Sequence, residues 1–326
     1  MQRKRDGLVP IGEVFSSLGD PVQGIREASP QALYHFTQAD QVNQLVGARE
    51  AAPDMGFMAR LMALCSLPRT NPGKRDRYVR KNGPYTLVMI AGGEIPKLPF
   101  GNLPRLLLAW VSTEAVRTQS RVLILGRSLS KFMQTLGINS LSGGARGEQT
   151  RLRNQMQRLF GASVELIYED EHSRRFIASR VADRGEFWWN PKHPDQSSLW
   201  DSKIELGEKF FNEIISHSVP LDMNTLKALK RSSLGLDLYM WLTYRTFSLQ
   251  YPLRLSWRQL YCQFGANPAR TNDKYVVRDF RKKCLRELEK IKLAWSDLNY
   301  ATAKGVLILH PSTPIIAPSN HHPLDS

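Results

Sequence analysis

The order of elements readable in residues 103–181 recurs in residues 236–310, and this repetition limits the fold more than any single motif. In the first run, 103–118 (LPRLLLAWVSTEAVRT) reads as a helix with Pro104 tolerated in its first turn. An apolar extended piece follows at 121–125, then a short helix at 128–136, capped by Ser128 and closed by Gly137. A longer helix at 146–160 leads into extended segments 163–168 and 175–181, which read as a hairpin around EDEHS. The second run offers helices at 236–249, 256–264 and 271–292, then extended pieces near 294–300 and 306–310. Residues align as well as elements: Trp110 with Trp241, Ser128 with Ser256, and FMQTLGIN with LYCQFGAN, which pairs Gly137 with Gly265 and Asn139 with Asn267. The expected fold class is mainly α with small β-hairpins (α+β). Helix, short helix, long helix and hairpin is the order of a winged helix-turn-helix, so two such domains in tandem are expected.

The third helix of each run carries the candidate chemistry. In 271–292 (TNDKYVVRDFRKKCLRELEKIK), Val277, Phe280, Cys284, Leu288 and Ile291 fall on one narrow stripe at spacings of three and four. Tyr275, Arg278, Asp279, Lys282, Arg286 and Lys290 collect on the other side, with Lys283 on the flank. Thr271 is the expected N-cap, Asp273 sits in the positive first turn, and Lys290 and Lys292 complement the negative end. A charged outer face alone only solvates a helix. A basic face on the third helix of both runs points to a polyanion, because that helix is the one such domains lay in the major groove. Arg270, Thr271, Asn272, Tyr275 and Arg278 are the base-reading candidates, since Arg pairs in bidentate fashion with guanine and Asn with adenine. Lys282, Lys283 and Arg286 are the phosphate candidates. Arg146, Thr150, Arg151, Asn154 and Arg158 form the corresponding set on the first run, as a second DNA-binding surface or a dimer surface.

Charge supports this direction. Against 30 Asp and Glu stand 45 Lys and Arg, a formal +15 that self-repulsion penalises unless an anionic partner offsets it. Nucleic acid comes first as that partner and an acidic membrane surface second. No apolar run approaches the roughly 18 residues of a membrane span, and MQRKRDGLVP lacks the apolar centre of a signal peptide, so a cytoplasmic protein is expected. Cys65, Cys262 and Cys284 are odd in number and far apart, and read as buried free thiols rather than bridges or zinc ligands.

The implied domain plan is an unordered arm at 1–55, a first winged-helix domain at 56–184, a linker at 185–203, a second winged-helix domain at 204–318 and a tail at 319–326. Within it, 54–66 (DMGFMARLMALCS) reads as a short helix, LPRTNPGKRDRYVRKNG as a basic arm or solvated link, 85–91 as a buried strand and 208–217 as a helix. The Trp-rich link EFWWNPKHPDQSSLW places Trp188, Trp189 and Trp200 where they dock two domains or stack on unpaired bases; docking is favoured.

LPFGNLPRLLLAWVSTEA, LGINSLSGGARGEQTRLRNQMQRLF, and ALKRSSLGLDLYMWLTYRTFSL followed by LSWRQLYCQFG resemble bacterial plasmid replication initiators of the RepA type, over about 53–318. The resemblance implies a tandem winged-helix protein that binds repeated origin sites (iterons) and helps open the adjacent duplex. It also implies recruitment of a host initiator and the replicative helicase, and repression of its own promoter as a homodimer. No cofactor, no metal and no catalytic residue are implied.

Other motifs are weaker. LSGGA at 141–145 resembles an ABC-type ATPase signature, but GxxxxGK[ST] is absent. His321 and His322 lack a third ligand and a strand to carry them. Tyr239, Tyr244 and Tyr251 read as core aromatics rather than nucleophiles. The alternatives carried forward are a DNA-processing enzyme, relaxase or recombinase, and a plain transcriptional repressor.

Overall fold

The computed structural model describes residues 30–94, 96–139, 147–189, 198–199, 201–267 and 270–317. The described residues fall into two units, divided between Gln44 and Leu45. A helix, α1 (Pro30–Glu50), occupies part of the stretch expected to be an unordered arm; its apolar residues are spread over more than one face.

The larger unit runs β1 (Met55–Ala59), α2 (Arg60–Leu64), β2 (Arg77–Asn82), β3 (Tyr85–Ile90), α3 (Leu103–Thr118), β4 (Val122–Gly126), α4 (Leu129–Thr135) and α5 (Glu148–Gly161). Strands β5 (Ser163–Glu169), β6 (Arg174–Arg180), β7 (Ala182–Glu186) and β8 (Ser202–Leu206) complete the first copy. The second comprises α6 (Glu208–Ser216), β9 (Ser218–Asp222), α7 (Met223–Ala228), α8 (Ser233–Phe247), β10 (Leu253–Ser256), α9 (Trp257–Phe264), α10 (Lys274–Ala294), β11 (Tyr300–Ala303) and β12 (Val306–Leu309). The fold is α+β, as expected.

The helix expected at 54–66 is half strand. Met55–Ala59 pairs antiparallel with Ser218–Asp222 of the other copy. Its remaining amides are met by α3: Phe57 N donates to Thr113 Oγ1 at 2.9 Å and Ala59 N to Ser112 Oγ at 3.1 Å. With its polar backbone groups met by distant partners, the strand overrides the local helical period.

The three-stranded sheets show the repeat most clearly. In the second copy the order is β10-β12-β11, and in the first it is β4-β8-β7. The hairpin expected from 163–168 and 175–181 does form, but β5 joins β3 in a separate four-stranded sheet, β2-β3-β5-β6. The strands equivalent to β11 and β12 are therefore β7 and β8, which include both ends of the stretch read as a linker. Trp189 packs inside the first copy, stacked on Phe132 at 5.4 Å with its indole N–H donating to Gly126 O at 2.9 Å. Trp188 is half exposed, and Trp200 lies outside the described residues.

The matched tryptophans do matched work. Trp110 meets Phe132 edge-on at 4.9 Å, and Trp241 meets Phe264 at 5.4 Å. Helices α3 and α8, which carry them, are buried on nearly every face. Between these helices lies a fully buried ion pair, Arg105 Nε to Asp237 Oδ1 at 2.6 Å and Nη2 to Oδ2 at 2.8 Å. One hydrophobic cluster runs through both copies, so residues 45–317 pack across the 185–203 stretch as one body. Of the three thiols, Cys65 and Cys284 are buried as expected, whereas Cys262 is exposed near the end of α9.

Candidate nucleic-acid interface

Helix α10 starts at Lys274, and its N-cap is Asp273 rather than Thr271. The Asp273 carboxylate accepts from Tyr275 N at 3.0 Å and Val276 N at 3.2 Å. Arg270 lies 2.7 Å from the other oxygen; this ion pair first, and the amide bonds with it, holds the carboxyl below its usual range. The apolar stripe packs as the period predicts: Phe280, Cys284, Leu288 and Ile291 are buried and Val277 is half-buried. Glu287, also buried, faces the first turn of α8, where a Cβ on Gly235 would lie 2.9 Å from its Oε2.

With one face locked down, the opposite face is forced outward. Tyr275, Arg278, Lys282, Lys283 and Arg286 lie on it, and all five are exposed. Tyr275 sits between two cations, Lys274 Nζ at 5.2 Å and the Arg278 guanidinium at 5.5 Å from its ring centroid. Arg278 also lies 3.9 Å from Asp279. Lys282, Lys283 and Arg286 make no hydrogen bond or ion pair to any described residue. At about 1.5 Å per residue, Lys282 stands roughly 10 Å and Arg286 roughly 16 Å along the axis from Tyr275. That span compares with a major groove about 12 Å wide, so the first turns can face base edges while the later cations reach a phosphate rim.

The base-reading candidates before the helix are brought together by α9. Asn272 Oδ1 accepts from Arg258, and Cys262 Sγ lies 3.6 Å from Thr271 Oγ1. Arg258 was not singled out from the sequence, although it lies on the exposed face of a readable helix. Lys304, exposed beside Gly305 at the β11–β12 turn, was also missed. Gly305 takes φ +80°, a conformation open to glycine, and so holds the turn tight.

The first copy presents less. Arg151 is exposed but paired with Glu148 at 2.5 Å, and Thr150 and Asn154 are half-buried. Arg158 lies over the Phe100 ring at 5.2 Å and donates to Leu98 O at 3.3 Å; burial lowers its pKa. Gln155 accepts from Phe100 N at 2.9 Å, so the segment around Phe100 covers part of the outer face of α5. Arg146, the LSGGA loop, His321 and His322 lie outside the described residues. Among the described residues no cluster of His, Cys, Asp and Glu could hold a metal ion, and no helix is long and apolar enough to cross a membrane.

Residues 98–257 match the family model described as plasmid encoded RepA protein. The match covers α3, α4 and α5 of the first copy and runs to Trp257, so α10 lies beyond it. Two crystal structures of RctB resemble the chain. Its domains 2-3 share 14% identity, with a TM-score of 0.45, over 77% of this chain and 94% of that one. A selenomethionine derivative of domains 2 and 3 gives 15% and 0.48, over 78% and 96%. No curated protein matches the sequence.

Proposed function

Because residues 98–257 carry the signature of the plasmid-encoded RepA family, we propose that the chain is a plasmid replication initiator that binds double-stranded origin DNA through two winged helices in tandem. The single observation that carries the reading is the cationic outer face of α10, whose opposite face is sealed into the core and whose cations Lys282, Lys283 and Arg286 have no protein partner among the described residues. The winged-helix reading draws support from the shared strand order of β4-β8-β7 and β10-β12-β11, each completed after a third helix. The β11–β12 turn, with Lys304, is then a wing against the backbone.

In this reading Arg270, Thr271, Asn272, Tyr275 and Arg278 read bases, while Lys282, Lys283 and Arg286 hold phosphates. Arg146, Thr150, Arg151, Asn154 and Arg158 form a second and smaller contact surface, for DNA or for a second copy. The sites are repeated iterons, opening of the adjacent duplex follows binding, and a host initiator and helicase are then recruited. Repression of the chain's own promoter belongs to a dimer. The protein performs no strand chemistry itself.

The test is equilibrium binding to an origin duplex and to a random duplex over a range of salt. Arg278→Ala should cost about 1 to 3 kcal/mol on the origin duplex and relax one base preference, whereas Lys282→Ala should lower the salt slope by about one unit on both. Unchanged affinities in Arg278→Ala would remove its base-reading role. Incubation with supercoiled origin DNA and Mg²⁺ should yield complexes without nicking; a nick or a covalent adduct would replace this reading with a relaxase or recombinase. A footprint of direct repeats supports an initiator, and a single palindrome beside the gene a plain repressor.

A further inference from the structure

We propose that Arg80, on strand β2 of the first copy, is a positioning residue for the base-reading end of the second copy, acting through the turn between α9 and α10. The inference rests on the DNA-binding reading above and adds to it a residue from the other half of the molecule.

Helix α9 ends at Phe264, and its last carbonyls have no partner within the helix except where Gly265 N takes Tyr261 O at 2.7 Å. Two carbonyls at this end are filled from outside by one side chain. Arg80 Nη1 donates to Cys262 O at 3.0 Å and Nη2 to Gly265 O at 2.9 Å. Its third nitrogen, Nε, donates to the Tyr78 hydroxyl at 2.7 Å, which in turn donates to Ser66 O at 3.0 Å. Ser66 Oγ donates to Gln263 O at 2.8 Å, and Gln263 Nε2 reaches Leu64 O at 3.4 Å. Arg80 is 1% exposed, a buried cation at the negative end of a helix. A planar fork suits two carbonyls three residues apart; a lysine ammonium does not reproduce that geometry.

The placement matters because of the segment that the end of α9 leads into. Arg270, Thr271 and Asn272 lie in the connection itself, and Tyr275 in the first turn of α10. The core stripe holds the body of α10 through Phe280, Cys284 and Leu288, further along. At the connection, Tyr261 holds Asn267 O at 2.9 Å and Arg258 holds Asn272, and both are α9 side chains. Arg80 fixes the end of α9 to the sheet of the first copy, and with it the point from which this connection departs. Loosening that point moves the base-reading groups while leaving Lys282, Lys283 and Arg286 on a helix still docked in the core.

The experiment compares the full chain with Arg80→Lys and Arg80→Met by binding to origin and random duplexes across salt, alongside hydrogen exchange of residues 266–273. The expected result is a roughly ten- to hundredfold loss on the origin duplex, the scale of one or two misplaced base contacts, smaller in Arg80→Lys. Affinity for the random duplex and the salt slope should stay at wild-type levels, and exchange should quicken in 266–273 while α8 keeps its protection. A purely structural role would lower both affinities together. Should Arg80→Met not fold, Arg80→Lys decides. Folded variants with the wild-type ratio of origin to random affinity, or with unchanged exchange in 266–273, overturn the proposal. If the wild-type chain itself does not distinguish the duplexes, the DNA reading fails, and the exchange measurement still tests the hold of Arg80 on the turn.

Discussion

Asp237→Asn perturbs the joint between the two copies with almost no change in shape. Arg105 has five N–H donors, and the fold uses each of them. Nε and one Nη2 hydrogen go to the Asp237 carboxylate; the rest go to Leu67 O at 2.7 Å, Gly101 O at 2.5 Å and Pro68 O at 3.2 Å. The two side chains are 0% and 2% exposed, so no water can take over. An asparagine keeps one acceptor oxygen but turns an N–H toward a guanidinium N–H, and it removes the only negative charge in the pair. Arg69, half-buried nearby and pushed below its ordinary pKa first by burial, loses the favourable field of the same carboxylate. Removing one partner of a buried pair costs about 3 to 5 kcal/mol, a large part of the roughly 5 to 15 kcal/mol that holds a typical folded domain together. Urea unfolding followed by tryptophan fluorescence reads the loss directly. The double variant Arg105→Met with Asp237→Leu should recover only part of it, because the carbonyls of Leu67, Pro68 and Gly101 lose the donors that Arg105 supplies. A loss below about 1 kcal/mol in Asp237→Asn would show that the charge pair does not hold the copies together.

Two further outcomes test the packing. Gly161, the last residue of α5, lies so close to the loop after β3 that a Cβ there would stand 2.7 Å from Gly92 O, and one on Gly92 would stand 2.5 Å from Gly161 O. Both obstacles are backbone, so Gly161→Ala should lower stability by about 1 to 3 kcal/mol, read as a fall in the thermal midpoint; an unchanged midpoint would mean that the approach is looser than the fold implies. Burial pushes the Cys65 and Cys284 thiols up to about 12, and Cys262 is exposed. The native protein should therefore give one fast-reacting thiol out of three with a disulfide reagent, and Cys262→Ser should abolish it; fast reaction at the other two would contradict their burial.

Elements that carry their own period were readable from the chain. The run 103–118 is the helix Leu103–Thr118, and the stripe from Phe280 to Ile291 packs as its spacing requires. The cations of α10 were readable for the same reason: burying one side of a helix exposes the other. Elements that depend on a distant partner were not. Met55–Ala59 is a strand because Ser218–Asp222 lies beside it, and nothing within the apolar run 54–66 announces that partner. The strands β7 and β8 are five residues each, rich in charge, and separated by a Pro- and Trp-containing stretch, so their facing ends read as part of a linker although they close a sheet with β4.

The same distinction governs the candidate site. Asp273 and Thr271 both cap helices well, and only the fold decides that Asp273 meets the free amides while Thr271 turns toward Cys262. Arg258 and Arg80 come from two other places in the chain, with no spacing relation to α10, and it is tertiary packing that brings them to the turn leading into it. A period can state which face of a helix is outward, but not what holds its first turn in place. Here that hold crosses from the first copy into the second, from Arg80 to the carbonyls of Cys262 and Gly265. A duplicated chain whose copies were independent would have no such bond, and either copy could then be expressed alone. With β1 paired to β9 and Arg105 bound to Asp237, each copy instead completes the other. Separating them within 185–203 would cut the β7–β8 hairpin and leave buried polar groups of both halves without partners.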